Sequence, residues 1–452
     1  MNQDNQHINI NKKTEGDINI TPAREIWYKN EVDEKTKELL EKDARYFFHQ
    51  SMSTPCLDVL KNCEGSSIEN ISGKKYLDFH GNNVHQIGFS NPLLIEKLTT
   101  QLQSLTFSTR RYTNEAAINF AEKLASLMPS DLNRVLLTPN GSSAVGIAIK
   151  LARAVTGKHK IVSFWDSFHG ASLDAISVGG ESAFRDYMGP LMPGIERIPP
   201  PITYRGIFED NELKCLEHLE YVFLKEGNIG AFIAETIRNT DVQVPSKEFW
   251  KKARELCTKY GVLLILDEIP IAFGRTGKMF AFEHYDIEPD ILCLGKGLGG
   301  GIFPQSAIIT RDDYNHFSDI SLGHYTHEKS PLGAVAGLTT IEFIENEKLL
   351  KKVKNDKKYM EAALTALKIK HSIIGDIRGI GLLWGVELVK NKKTKEKAID
   401  EAEQVMYECL KQGLSFKVSK GNVIQLSPAL TISREELNIA LNILDKSLST
   451  IN

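Results

Sequence analysis

Lys296 stands where its chemistry asks for a reason. In DILCLGKGLGGGIFP, residues 290–304, a short apolar run hands one cation to a patch of glycines. A lysine delivered into a largely desolvated pocket has a lowered pKa, and its neutral amine can attack a carbonyl or remove a proton. A second apolar run, VLLILDE (262–268), ends in Asp267 and Glu268. A carboxylate in that position is costly unless it meets a cation or a strong donor. Asp267 precedes Lys296 by 29 positions (296 − 267), about one step along a parallel sheet, so both should emerge at one crevice. A plain Asp–Lys ion pair is the bland alternative.

Two further stretches suit the same crevice. In TPNGSSAVGIAIKLAR, Asn140 and Gly141 turn the chain, and Ser142 and Ser143 open an apolar helix. Free N–H groups, the helix dipole and the hydroxyls suit an anion, most naturally a phosphate; a serine N-cap would read the same way. In WDSFHGASLD, Phe168, His169 and Gly170 follow a strand. The ring could stack on a flat heterocycle, or be core beside a turn glycine. Gly295, Gly297 and Gly300 also satisfy the dinucleotide pattern G-x-G-x-x-G, but Pro304 and the next strand arrive too soon for the helix that pattern requires. Taken together, a phosphate at Gly141 and Ser142, a ring on Phe168, a ring nitrogen facing Asp267 and an aldehyde within reach of Lys296 describe pyridoxal 5'-phosphate. No metal is expected.

Strands are expected at RVLLTP (134–139), KIVSFW (160–165), GAFIAE (230–235), VLLILDE, DILCLG (290–295) and QSAIITR (305–311), with helices such as 142–155 and 247–261 between several of them. Continuous apolar strands separated by helices predict an α/β fold, a mostly parallel sheet flanked by helices. Ligands of such sheets bind outside the carboxyl ends of the strands, where these residues fall. After about residue 340 the pattern changes to a helical run near 344–368, strands at 381–389 and 423–427, and a closing helix at 433–449: a smaller α+β domain. The expected division is 1–75 for an N-terminal arm and part of the small domain, 76–340 for the large domain and 341–452 for the C-terminal small domain. With 42% hydrophobic and 25% charged residues and a net charge of −3, the chain has no basic block for nucleic acid and no apolar run long enough for a membrane. Six cysteines without a C-x-x-C pair and a polar N-terminus predict reduced thiols and a cytoplasmic location.

The segment DEIPIAFGRTGKMFAFEHYDIEPDILCLGKGLGGG resembles the signature of class III (ω-amino) aminotransferases, pyridoxal-phosphate enzymes of fold type I, and the resemblance runs from YLDFHG near residue 76 to NVIQLSPALTI near 432. It implies that Lys296 is the Schiff-base lysine and Asp267 the partner of the pyridine nitrogen. Gly141 and Ser142 would hold the phosphate, with Phe168 and Ile269 on the two faces of the ring. Thr326 would complete the phosphate site from the neighbouring subunit, which implies a homodimer with active sites at its interface.

The departures bear on the reaction. The family's E-P-V-Q-G reads Glu235-Thr236-Ile237-Arg238-Asn239, and its H-G-x-T-[FY]-G-G-N-P stretch reads GHYTHEKSP (323–331). The arginine that family aminotransferases use to hold a substrate carboxylate is Gln425, which offers no charge-assisted fork. These variants, with FHGNNVHQ and FSTRRYTN, resemble a lyase branch of the family that eliminates from a phosphonate-bearing amine and releases ammonia. The alternative is an ω-aminotransferase moving an amino group between an amine and a 2-oxo acid. A phosphonate needs cations, and Arg110, Arg111, Arg238 and Lys329 are the candidates.

Overall fold

The computed structural model describes residues 21–50 and 56–451, and the polar first twenty residues, expected as an arm, lie outside the described residues. Two compact units organise the chain. One holds Asn82–Asn239 and Gln243–Lys354; the other holds the described residues up to Gly81, the segment Thr240–Val242 and the described residues from Asn355 onward.

The first unit is built on seven strands: β1 (Arg134–Thr138), β2 (Lys160–Phe164), β3 (Ile195–Ile198), β4 (Ile229–Glu235), β5 (Leu263–Asp267), β6 (Ile291–Leu294) and β7 (Ser306–Thr310). Their order across the sheet is β1-β7-β6-β5-β4-β2-β3. All neighbours run parallel except β7, which is antiparallel to both β1 and β6. Strands β4 to β7 are buried at every position, which is why they read as unbroken apolar runs rather than alternating ones. The short edge strand IERI (β3) carries two charges in four residues and was not among the expected strands.

Helices cover the sheet. Gly141–Thr156 begins with Asn140, whose side-chain oxygen accepts from the Ser143 N–H at 2.9 Å, and ends at Gly157 in the left-handed conformation. Its inward face, including Val145, Ile147, Ala148 and Ile149, joins Ile233, Ile265 and Cys293 of the sheet in one core. Lys247–Tyr260 is likewise capped by Ser246 and closed by Gly261. One connection departs from the expected pattern. Strands β5 and β6 are adjacent and parallel, yet the chain between them contains turns and a short 3₁₀ segment, Ala281–His284, instead of an α-helix. Buried Glu268 organises it, accepting from the Thr236 hydroxyl (2.9 Å) and from the N–H groups of Ala281 (2.6 Å) and Phe282 (2.7 Å). Burial pushes its carboxyl up to about 7 against the pull of those donors.

The second unit carries an antiparallel sheet in the order Ile374–Ile380, Leu383–Asn391, Val423–Leu426, Lys417–Ser419. Its helices include Ile399–Lys411 and Arg434–Leu448. Arg378 centres a buried ion cluster, donating to the carbonyls of Asp241 and Val242 and to the carboxylates of Asp376 (2.9 Å) and Glu387 (2.7 Å). Burial alone would lower its pKa, but Glu387, Asp241 and Asp376 more than offset this and raise it. Gln425 is fully buried on its strand, in register with Gly385 on one side and Lys417 on the other. All six cysteines are free thiols. No helix among the described residues is long and apolar enough to cross a membrane.

Candidate active site

The carboxyl ends of β4, β5 and β6 lie level. Glu235 pairs in register with Asp267, and Asp267 with Cys293. Asp267 is 2% exposed; one of its oxygens lies 2.8 Å from Nδ1 of His169, and the other accepts from the Ile269 N–H at 3.0 Å. Its partners include a histidine and a backbone donor. The carboxylate is fixed by these two groups, one at each oxygen. His169 is the side chain that holds it.

The turn Phe168-His169-Gly170 packs on the start of the Gly141–Thr156 helix. The Ser142 hydroxyl accepts from the Ala171 N–H at 3.1 Å, and a Cβ on Gly170 would lie only 2.3 Å from that hydroxyl. Asn140, not a serine, is the N-cap, so Ser142 is released from capping duty. The Gly141 and Ser142 N–H groups sit in the first helical turn and have no intrahelical acceptor. Phe168 is half-buried, its ring 4.6 Å from that of Phe184, and its N–H meets Glu235 at 3.4 Å. Burial pushes the Glu235 carboxyl up, while Arg238 and His169 pull it back.

Ile269 ties these pieces to the lysine. Its side chain lies where Cβ atoms on Gly141 (2.9 Å) and Gly295 (3.2 Å) would intrude, so helix start, β5 end and β6 end converge on one isoleucine. Lys296 follows β6 in a 3₁₀ turn, Lys296–Gly299, with φ of +47°, a left-handed conformation uncommon for a side-chain-bearing residue. It opens on a cavity of about 280 Å³ lined also by Val84, Asn140, Gly141, Phe303 and Ser306. This arrangement fits pyridoxal phosphate. It offers free first-turn N–H groups for a phosphate, an anchored buried carboxylate for a protonated ring nitrogen, and an amine entering the same cavity as the phosphate turn.

The candidate substrate cations fall in two places. Arg238 is buried, its guanidinium donating to the Asp166 carbonyl and its backbone pairing with Gln243. Arg110, Arg111 and Lys329 are exposed, as is Thr326. None of these five residues lines the cavity that holds Lys296.

Residues 48–448 match the family described as Aminotransferase class-III. Over 97% of its length the chain is 56% identical to the (R)-1-hydroxy-2-aminoethylphosphonate ammonia-lyase of Vibrio splendidus (strain 12B01), covering 95% of that protein. It is 33% identical to the leucine/methionine racemase of Thermococcus litoralis, with 92% of this chain and 96% of the relative aligned. Among solved structures it superposes on a Bacillus anthracis aminotransferase with a TM-score of 0.85 at 30% identity, covering 93% of this chain and all of the other. It also superposes on the taurine:2-oxoglutarate aminotransferase of Bifidobacterium kashiwanohense in complex with PLP and glutamate, with a TM-score of 0.86 at 28% identity, covering 93% and 99%.

Proposed function

The chain belongs to the class-III aminotransferase family, and we propose that it works there as an ammonia-lyase, converting (R)-1-hydroxy-2-aminoethylphosphonate to phosphonoacetaldehyde and ammonia. The likeness to the Vibrio splendidus lyase along nearly the whole chain carries this reading. Gln425 supports it, because a neutral side chain replaces the arginine a transaminase would use for its 2-oxo acid.

Its cofactor is pyridoxal 5'-phosphate, which when bound supplies an aldehyde for the substrate amine and a protonated ring that spreads the electron pair left on the aminated carbon. The protein's part falls to a few residues. The Gly141 and Ser142 N–H groups and the Ser142 hydroxyl would hold the phosphate. Asp267, braced by His169 and the Ile269 N–H, would keep the ring nitrogen protonated, with Phe168 and Ile269 fixing the plane of the ring. Lys296 would hold the aldehyde and then, once the substrate has displaced it, take the proton from the aminated carbon. Hydroxide leaves from the neighbouring carbon, and addition of water to the unsaturated amine gives the aldehyde and ammonia. Atoms balance without an oxidant or a second substrate. Arg110, Arg111, Arg238 and Lys329 are the candidates for the phosphonate.

A homodimer is part of this reading, and the six free thiols support a cytoplasmic enzyme. The test compares the hydroxylated substrate with 2-aminoethylphosphonate, which lacks the leaving group. A lyase releases ammonia from the first alone and ignores the second. Consumption of both at similar rates once pyruvate is supplied would establish an ω-aminotransferase instead.

A further inference from the structure

An elimination that expels a hydroxyl needs a proton at the departing oxygen, and a positioned acid there is worth on the order of a hundredfold or more in rate. Among the described residues that line the Lys296 cavity, none carries a carboxyl or an imidazole, and Lys296 is the one charged side chain. The proton that Lys296 takes from the aminated carbon is therefore the one at hand for the oxygen. Beyond Lys296, the polar side chains of the lining are those of Asn140, Gln305 and Ser306.

Two of the three are committed. The Asn140 oxygen caps the Gly141–Thr156 helix, and the Gln305 amide donates to the Ser306 carbonyl at 3.0 Å. An amide also accepts at one atom and donates at another, whereas a hydroxyl does both at a single oxygen and can pass a proton on. Ser306 opens β7 and is 2% exposed, and its hydroxyl has no hydrogen-bond partner among the described residues. Leaving a buried hydroxyl unpaired costs about 1–3 kcal/mol, a cost that a bound ligand removes. The sheet sets where this hydroxyl lies. Strand β7 runs antiparallel to β6 with Ala307 opposite Leu294, which brings Ser306 beside Gly295, the residue before Lys296. A Cβ on Gly295 would lie 2.5 Å from the Ser306 Oγ and 3.2 Å from Cγ2 of Ile269. The hydroxyl thus shares one wall of the cavity with the isoleucine assigned to the cofactor ring and with the backbone that delivers the lysine.

We propose that Ser306 is a catalytic residue of the elimination: its Oγ receives the proton that Lys296 has removed from the aminated carbon and gives its own proton to the departing oxygen. The carbon–hydrogen bond breaks toward Lys296, the carbon–oxygen bond breaks with its electron pair on oxygen, and a carbon–carbon double bond forms between them. The oxygen leaves as water, Ser306 regains a proton from the lysine ammonium, and Lys296 ends neutral. The step consumes no external acid, oxidant or reductant. It rests on the lyase reading, since a transamination expels nothing and gives this hydroxyl no oxygen to protonate.

Ser306→Ala removes one oxygen, and four readouts on the loaded protein separate the roles it could have had. Titration with pyridoxal phosphate, followed by the visible band of the lysine-bound form, should match wild type; a marked loss of affinity assigns the hydroxyl to the cofactor and overturns the proposal. Exchange of the hydrogen on the aminated carbon of 2-aminoethylphosphonate in heavy water, followed by NMR, reports proton removal by Lys296 with nothing to expel. It should run at the wild-type rate, and its loss would make Ser306 a positioning residue for the lysine instead. With (R)-1-hydroxy-2-aminoethylphosphonate, kcat for ammonia release should fall by about a hundredfold or more. With the analogue carrying chloride in place of the hydroxyl, whose departure needs no proton, the variant should keep the wild-type kcat, which also shows that it is folded. Equal losses on the two substrates, or a wild-type kcat on the hydroxylated one, overturn the proposal while leaving the lyase reading intact. Wild-type protein that releases no ammonia from either substrate refutes the lyase reading and the relay with it.

Discussion

Replacing Gly170 with alanine should loosen the cofactor although residue 170 makes no bond to it. The glycine has φ of +125°, a conformation L side chains rarely adopt, and holding alanine there costs on the order of 1–3 kcal/mol. The new Cβ would also lie 2.3 Å from the Ser142 hydroxyl, 2.9 Å from its Cβ and 3.0 Å from its Cα. A rotamer change relieves only the first contact, so the start of the Gly141–Thr156 helix must shift. That breaks the 3.1 Å bond from the Ala171 N–H to Ser142, worth about 1 kcal/mol. If about 2 kcal/mol of the total is relieved by displacing the Gly141–Ser142 turn, cofactor affinity falls about thirtyfold at about 1.4 kcal/mol per factor of ten. The assay titrates apo-protein with pyridoxal phosphate and follows the visible band of the lysine-bound form. Two alanine variants act as controls. Gly157→Ala, with φ of +65° and nothing within 4 Å, burdens the same helix without touching the site, and should bind the cofactor normally. Gly141→Ala meets only the flexible end of Ile269 at its closest point, 2.9 Å, and should fall between the two. Wild-type affinity in Gly170→Ala, or an equal loss in Gly157→Ala, refutes the reasoning.

Three further outcomes follow from other parts of the molecule. Asp78 is buried, and burial pushes its carboxyl up to about 6 against the donors of His80 and Gly81. A folded pKa above the unfolded one stabilises at low pH and is lost as pH rises from about 4 to about 6, an effect of at most about 3 kcal/mol, so Asp78→Asn should flatten the fall in melting temperature across that window; parallel slopes would contradict this. Gln425→Arg sets a guanidinium directly across from Lys417 on a buried strand pair, so it should lower the melting temperature and gain no activity with 2-oxoglutarate. A gain would show that the missing arginine alone separates lyase from transaminase. Arg378→Ala removes the guanidinium that bonds buried Glu387 and Asp376 and should destabilise by about 3–5 kcal/mol; a loss under about 1 kcal/mol in denaturant melts would mean the cluster is not the anchor its geometry suggests.

Much of the large unit was legible because its strands are buried on both faces. GAFIAE, VLLILDE and DILCLG needed no periodicity argument, since unbroken apolar runs bounded by polar turns have few other uses. The edge strand IERI escaped because it is short, three of its four positions are only half-buried, and its charges mimic a loop. The link from Asp267 to Lys296 looked like a helical crossover by length alone. What fills it is a turn-rich loop held by Glu268, and no local pattern announces a buried carboxylate with three donors drawn from distant positions. In the site, residue types at strand ends pointed to Lys296, Asp267 and Phe168. The brace between His169 and Asp267 joins positions 98 apart and becomes visible only when β2 and β5 are placed in the sheet. The serine-cap alternative at Ser142 fails for a one-residue reason: Asn140 takes the cap, and the serine is left for other work.

The most direct test of a lysine-centred elimination counts ammonia released from (R)-1-hydroxy-2-aminoethylphosphonate with no 2-oxo acid present, for wild-type protein and for Lys296→Ala. The account predicts many equivalents of ammonia per wild-type site, matched one to one by aldehyde, and none from the lysine variant. Release that stops near one equivalent per site until pyruvate or 2-oxoglutarate is added would contradict it, as would sustained release by Lys296→Ala.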